Sequence, residues 1–245
     1  MLLLTKRYRS QYRGENIVVD RSHTEGVWHD SVEHVPNVVT NNQISNRAVV
    51  LGNGPSRLKF NLTHLKNFSG LLGANTVQTY GCNGLYRDFT PDFLVASGHP
   101  DIIKEIANSK YVDDNIVYTN AIHLLEYPNK FYLIPHDPYA DAGTTALYLA
   151  AFDGHKKIYM LGFDGQDTPG FNYNIYADTN GYDPKNSLVE SQKWEVNQKT
   201  VFNVYTDVEF IRVTEFNTER IPESWKYCTN FRQVSHQDFV LETGL

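Results

Sequence analysis

Residues 46–60 read NRAVVLGNGPSRLKF. An apolar run, Ala48 to Leu51, stops at Gly52-Asn53-Gly54-Pro55-Ser56. An unbroken apolar strand suits a sheet buried on both faces, and glycines placed directly after it permit a tight turn with accessible backbone. The turn is not a dinucleotide fingerprint, because Arg57 stands where that pattern needs its third glycine.

Outward from this turn, strand-like and helix-like runs alternate. Strands are expected at Leu71–Gly73 (ending in Asn75), Phe93–Ala96 (ending at Ser97-Gly98), NIVYTN, KFYLIPH, Ile158–Leu161, VEFIRV and FRQVSHQDF. RLKFNLTHLKNF reads as a short helix or an irregular turn. PDIIKEIANSK opens with Pro-Asp, a first-turn signal for a helix. DAGTTALYLAAFDG is the best-defined helix, with Ala146, Leu147, Ala150 and Ala151 on one face and Gly154 as its C′ residue. SLVESQKWEVNQKTVFNVY reads as a further helix, with Ser187 and Glu190 as a capping box. The alternation predicts an α/β fold, a Rossmann-like, mainly parallel sheet flanked by helices. Residues 47–245 form that domain, and 1–46 an irregular arm with one or two short strands packed on it. The stretch 165–186, rich in Asn, Asp, Gly and Tyr, is a long loop of the kind that serves as a lid.

Composition narrows the function. The 245-residue chain carries a net charge of −6, which disfavours nucleic-acid binding through phosphates. Two cysteines, Cys82 and Cys228, fit no zinc spacing or disulfide framework, so reduced cytoplasmic thiols are expected. MLLLTK is too short for a signal core and no apolar run is long enough to span a bilayer, so a soluble chain without integral membrane contact is expected, suited to a bacterial or viral cytoplasm. His23, His29 and His34 lie near Asp20, Asp30 and Glu33 but match no metal motif, and no metal site is assigned. Oligomeric state is not legible.

In an open parallel sheet, ligands sit beyond the carboxyl ends of the strands. Four strand or helix ends are candidates. Gly52, Asn53, Gly54, Pro55 and Ser56 offer amides for an anion, or simply make a βα turn. Asn75 occupies the place where NAD enzymes carry an acid, so it suits a ribose or a base edge, or is a turn residue. Gly143, Thr144 and Thr145 open the best helix and suit a phosphate, unless Asp141 caps that helix instead. Asp164, in Gly-Phe-Asp-Gly, can grip a hydroxyl or a metal, or be a turn residue. His136, beside Asp137, is a candidate general base, or an ordinary hydrogen-bonded histidine.

VVLGNGPS, GAN and GTTALYLAAFDGHKKIYMLGFDG together resemble two related groups, covering residues 47–166. One is the bacterial sialyltransferase family; the other comprises hydroxymethylpterin pyrophosphokinase-like proteins, whose domain also occurs in motility accessory factors. The first resemblance implies that the 52–56 turn binds the CMP part of a CMP-linked sugar, that Asn75 contacts the nucleotide, and that inverting transfer to a glycan or other acceptor needs no metal. The match has gaps. Asp141-Ala142 precede Gly143 where Thr-Ser is expected, and Tyr139 replaces an arginine. Gln166 and Asn172 stand where the family places two tyrosines, leaving Tyr173 and Tyr176 nearby. No histidine lies between His155 and His236 to match the family's base. The sequence therefore points to a nucleotide-sugar-dependent glycosyltransferase with His136, Asp164 and Tyr173 as catalytic candidates. The second resemblance implies an ATP- and Mg²⁺-dependent pyrophosphokinase, with Asp141, Asp164 and Asp167 as metal carboxylates. A non-catalytic nucleotide- or glycan-binding protein is the third reading.

Overall fold

The computed structural model describes residues 3–9, 15–36, 46–66, 77–127, 130–164, 171–172, 174–182, 189–215 and 220–245. Near the N-terminus, β1 (Leu3–Arg9), β2 (Glu15–Thr24) and β3 (Val27–Pro36) form an antiparallel sheet of their own. This is more regular than the arm with one or two short strands. Glu25 and Gly26 both take positive φ (52° and 78°), the conformation of a tight hairpin turn matched to strand twist. The side chains of His23, His29 and His34 lie outside the described residues.

The main sheet begins with β4 (Arg47–Leu51). A 3₁₀ turn, Pro55–Lys59, and the short α1 (Thr63–Lys66) follow it. Next come β5 (Gln78–Cys82), β6 (Phe93–Val95), α2 (Pro100–Ala107), α3 (Tyr111–Asp114), β7 (Ile116–Thr119), α4 (Ala121–Glu126) and β8 (Tyr132–Leu133). The chain then makes α5 (Ala142–Phe152) and β9 (Lys157–Leu161), a small ladder of β10 (Phe171–Asn172) with β11 (Val189–Glu190), and α6 (Ser191–Val204). It ends with β12 (Glu209–Thr214), β13 (Phe231–Ser235) and α7 (His236–Thr243). The large sheet has eight strands in the order β13-β12-β9-β4-β5-β6-β7-β8, all parallel.

From β4 the chain builds outward through β5 to β8, then returns to the other side of β4 for β9, β12 and β13. The direction reverses at β4, and the crevice above such a reversal is where open α/β sheets hold ligands. Alternate strand residues face opposite helical layers. Val50, Tyr80 and Met160 pack with α5 and α6 residues such as Leu147 and Phe202. Val49, Leu51 and Leu161 pack with Ile102, Ile106 and Phe239 of α2 and α7. Two buried faces explain why β4 and β9 read as continuous apolar runs.

Two sequence expectations need revision, and a third falls on residues that are not described. Leu71–Gly73 and Asn75 lie outside the described residues, and the strands paired to β4 are β5 and β9. Glu190 cannot serve in a helical capping box, because it pairs with Phe171 and α6 starts one residue later; Ser187 lies outside the described residues. FRQVSHQDF is strand only to Ser235, whose side chain caps α7 in a true capping box with Asp238.

Candidate functional site

A cleft opens above the reversal. Its wall includes Gly52, Asn53 and Gly54 after β4, Cys82 and Asn83 after β5, His99 after β6, and Asp141, Ala142 and Gly143 at the head of α5. Gly162, Phe163 and Asp164 after β9, Asn174, and Trp194 of α6 complete it.

The floor is made by two glycine turns pressed together. The amide of Gly52 donates to the Leu161 carbonyl (2.8 Å) and that of Gly54 to the Gly162 carbonyl (2.9 Å). A Cβ on Gly52 would lie 2.4 Å from the Gly162 oxygen, and one on Gly54 would lie 2.3 Å from Asp164 Oδ2. Gly162 itself has φ +71°, and its Cβ would lie 2.7 Å from the Gly52 oxygen. These glycines are needed for turn-on-turn packing before any ligand is considered. Asp164 Oδ2 accepts the Ser56 amide at 2.8 Å, anchoring the 3₁₀ turn to β9. The amides of residues 52, 54 and 56 are thus occupied within the protein, and the 52–56 turn is a shaped floor rather than an open amide cradle.

Asn53 holds the floor to β5 by donating to the Cys82 carbonyl (3.3 Å), while its own carbonyl accepts the Ile175 amide (2.9 Å). Its Oδ1 is buried with no hydrogen-bond partner among the described residues. Asn83, with φ 45°, locks its amide onto the Ser97 backbone in both directions, each bond 2.9 Å. Burial pushes the Cys82 thiol up to about 12, so it is no nucleophile at neutral pH.

At the head of α5, Asp141 is the N-cap: its Oδ1 accepts the Thr144 amide (2.9 Å) and its Oδ2 the Thr144 hydroxyl (2.6 Å). Burial raises the Asp141 carboxyl above its ordinary value despite those bonds. Thr144 and Thr145 are fully buried and absent from the cleft wall; of the Gly143-Thr144-Thr145 trio, only Gly143 reaches it. Pro55 and Ser56 also stand outside the wall.

His136 is exposed, with φ 42°, and its ring packs against Phe152 at 6.1 Å between centroids. Phe152 ends α5, an 11-residue helix and so about 16 Å long, whose other end meets the cleft. His136 therefore sits at the wrong end of that helix for the role of base. The histidine in the wall is His99, which sequence reasoning missed; its signal was a Gly-His between a strand end and the Pro-Asp helix start. Cys82, Asn83, Asn174 and Trp194 were likewise missed.

Tyr173 lies outside the described residues, as do Gln166 and Asp167. Within the expected lid, residues 174–182 are built into the body. Tyr176 and Tyr182 are buried. Arg57 bonds the Tyr176 hydroxyl and Asp88, the Gly84 amide donates to the Tyr182 hydroxyl oxygen (2.9 Å), and Arg87 grips the Thr179 hydroxyl (2.8 Å) and the Asn180 carbonyl (2.6 Å). This segment packs on the body of the domain, and its Asn174 joins the cleft wall. Tyr176, committed to Arg57 and Asp88 and with its hydroxyl pKa raised chiefly by burial, does not face the cleft.

Asp141 and Asp164 share the cleft, yet each carboxylate serves a backbone amide. Among the described residues no group of three potential ligands could hold a metal ion, and no helix is long and apolar enough to cross a membrane. Both cysteines are free.

No protein-family model matches the chain, and no curated protein matches it in sequence. Solved structures do. The sialyltransferase CstII from Campylobacter jejuni, in complex with the substrate analogue cytidine-5′-monophosphate, is similar over 68% of this chain and 79% of its own, at 13% identity and a TM-score of 0.43. Its complex with CMP-3FNeuAc gives 14% identity and 0.42 over the same shares, 68% and 79%. The monofunctional α-2,3-sialyltransferase Cst-I from Campylobacter jejuni is similar over 71% of this chain and 77% of its own, at 13% identity and 0.45.

Proposed function

We propose that this protein is a glycosyltransferase that takes its sugar from a nucleoside-monophosphate donor, CMP-linked in the first instance, and passes it to a hydroxyl of a glycan acceptor in the cytoplasm. The observation that carries the reading is the union of the two sequence signatures. Gly-Asn-Gly-Pro-Ser and Gly-Phe-Asp-Gly are 108 residues apart at the Ser56–Asp164 bond, yet they form one floor beneath the cleft that α5 heads. Trp194 and Phe163 supply flat apolar wall for a ring, and the buried Asn53 Oδ1 supplies an acceptor for a ligand donor.

Charge sets a condition on this reading. The described wall carries two carboxylates and no lysine or arginine. A donor phosphate near Gly143 would gain from the α5 dipole but meet Asp141. Because burial already raises the Asp141 carboxyl, proton uptake there relieves the repulsion. Donor binding is then coupled to protonation and weakens as pH rises.

The test is a melting-temperature screen against CMP, UDP, GDP and ATP, each with and without Mg²⁺. Binding to the folded state alone raises the transition by mass action. A CMP shift that persists in EDTA supports the reading. A shift only with ATP and Mg²⁺ replaces it with a pyrophosphokinase, and no shift at all removes the nucleotide site. A CMP-linked donor that binds but is neither hydrolysed nor transferred would make the protein a binder.

A further inference from the structure

We propose that His99 is the proton acceptor of this cleft, taking the proton from the acceptor hydroxyl as that oxygen attacks the donor sugar. This rests on the glycosyltransferase reading above. The chain has no histidine between His155 and His236, and His136 stands at the far end of α5, so neither sequence-based route supplies a base. His99 is the histidine that the described cleft wall contains.

Its setting suits the task. His99 ends the β6–α2 connection in extended conformation, φ −131° and ψ 94°, at the N-cap position of α2. Its side chain makes no capping bond to that helix. One flank of the imidazole packs on the Tyr182 ring, 5.0 Å between centroids. Tyr182 is itself fixed by its bond to the Gly84 amide, so the imidazole lies against a rigid wall. The titratable groups around the cleft are Tyr182 on the 174–182 wall, Cys82 after β5, Asp141 at the head of α5 and Asp164 after β9. Burial lowers the imidazole's pKa, which keeps it neutral and able to accept a proton at pH 7.

The step balances without a further reactant. A ring nitrogen lone pair takes the hydroxyl proton, the acceptor oxygen forms its bond to the anomeric carbon, and the bond from that carbon to the phosphate oxygen breaks. The nucleoside monophosphate leaves with that electron pair, and the imidazolium returns its proton to solvent.

The experiment compares wild type, His99→Gln and the control His136→Gln for transfer from a CMP-linked sugar, for the CMP melting shift and for the pH–rate profile. Expected is a fall in kcat on the order of 10²–10⁴-fold for His99→Gln, with the CMP shift kept. The wild-type acid limb, with an apparent pKa below the ordinary histidine value of about 6.5, disappears in that variant, and His136→Gln matches wild type. Unchanged transfer in His99→Gln overturns the assignment while leaving the glycosyltransferase reading intact. Loss of the CMP shift in His99→Gln also overturns it, making the residue a nucleotide contact. A wild-type protein with no CMP shift fails the underlying reading, a result distinct from the other two.

Discussion

The two ends of the parallel sheet hold the same kinds of side chain and use them differently. Toward the amino end, the Tyr80 hydroxyl donates to Asp153 Oδ2 (2.7 Å) and lies 3.0 Å from His155 Nε2. All three residues are at most 1% exposed. On paper this Asp–Tyr–His set looks catalytic. It is sealed between α5 and the start of β9, where no substrate reaches it. At the carboxyl end, His99 and Asp141 reach a cleft. Burial acts at both ends, raising the Tyr80 hydroxyl pKa well above its ordinary value and lowering that of His99. Access, not residue type or pKa, separates a structural network from a site.

The comparison breaks first at the cleft floor. Gly162→Ala places a Cβ 2.7 Å from the Gly52 oxygen at φ +71°. Backbone strain and overpacking together are expected to cost about 2–4 kcal/mol, read from urea unfolding. A cost near zero would mean that the two turns are not pressed together as described.

Next, Tyr80→Phe leaves Asp153 and His155 short of a shared partner in a dry site. It is expected to lower stability by about 1–3 kcal/mol and leave CMP affinity unchanged. Weaker CMP binding in that variant would erase the distinction between the two ends.

Asn53→Ala should do the reverse. Losing the hydrogen bond that Oδ1 offers a ligand is expected to weaken CMP about tenfold, measured by calorimetry. Its loss of the bond to Cys82 is a smaller effect on melting temperature.

The smallest effect concerns Asp141. Its raised folded pKa means that the folded state binds more protons than the unfolded chain. The stability this gives is complete below the unfolded carboxylate pKa and is lost as pH rises through the folded value. Asp141→Asn, which keeps a good N-cap residue, should flatten that decline, read from urea unfolding at a series of pH values. It should also reduce the weakening of CMP binding as pH rises. A wild-type stability curve with no such decline would contradict the assignment.

What the sequence made legible follows from local physics. β4 and β9 declare themselves because both faces are buried, and α2 and α5 because Pro-Asp and Asp141 mark their starts. β5 was hidden because Gln78 and Thr79 are polar yet buried, and Gly81 adds no apolar signal. Thr79 is accommodated by Asp92, which accepts both its amide (2.8 Å) and its hydroxyl (3.0 Å), a contact across 13 residues that no periodicity reveals. Half of the site was visible for the same reason: the turns at 52–54 and 162–164 advertise themselves by glycine. His99 and Trp194 reach the cleft only through the stacking of helices on the sheet. Arg57, which looked like a missing glycine, is a buried clamp on Tyr176 and Asp88.

The central claim is a nucleotide site at the carboxyl end of the sheet, and calorimetric titration of CMP in EDTA tests it most directly. The account predicts one site per chain in wild type, about tenfold weaker binding in Asn53→Ala, and wild-type affinity in Tyr80→Phe. No heat of binding in wild type, or equal weakening in both variants, would contradict it.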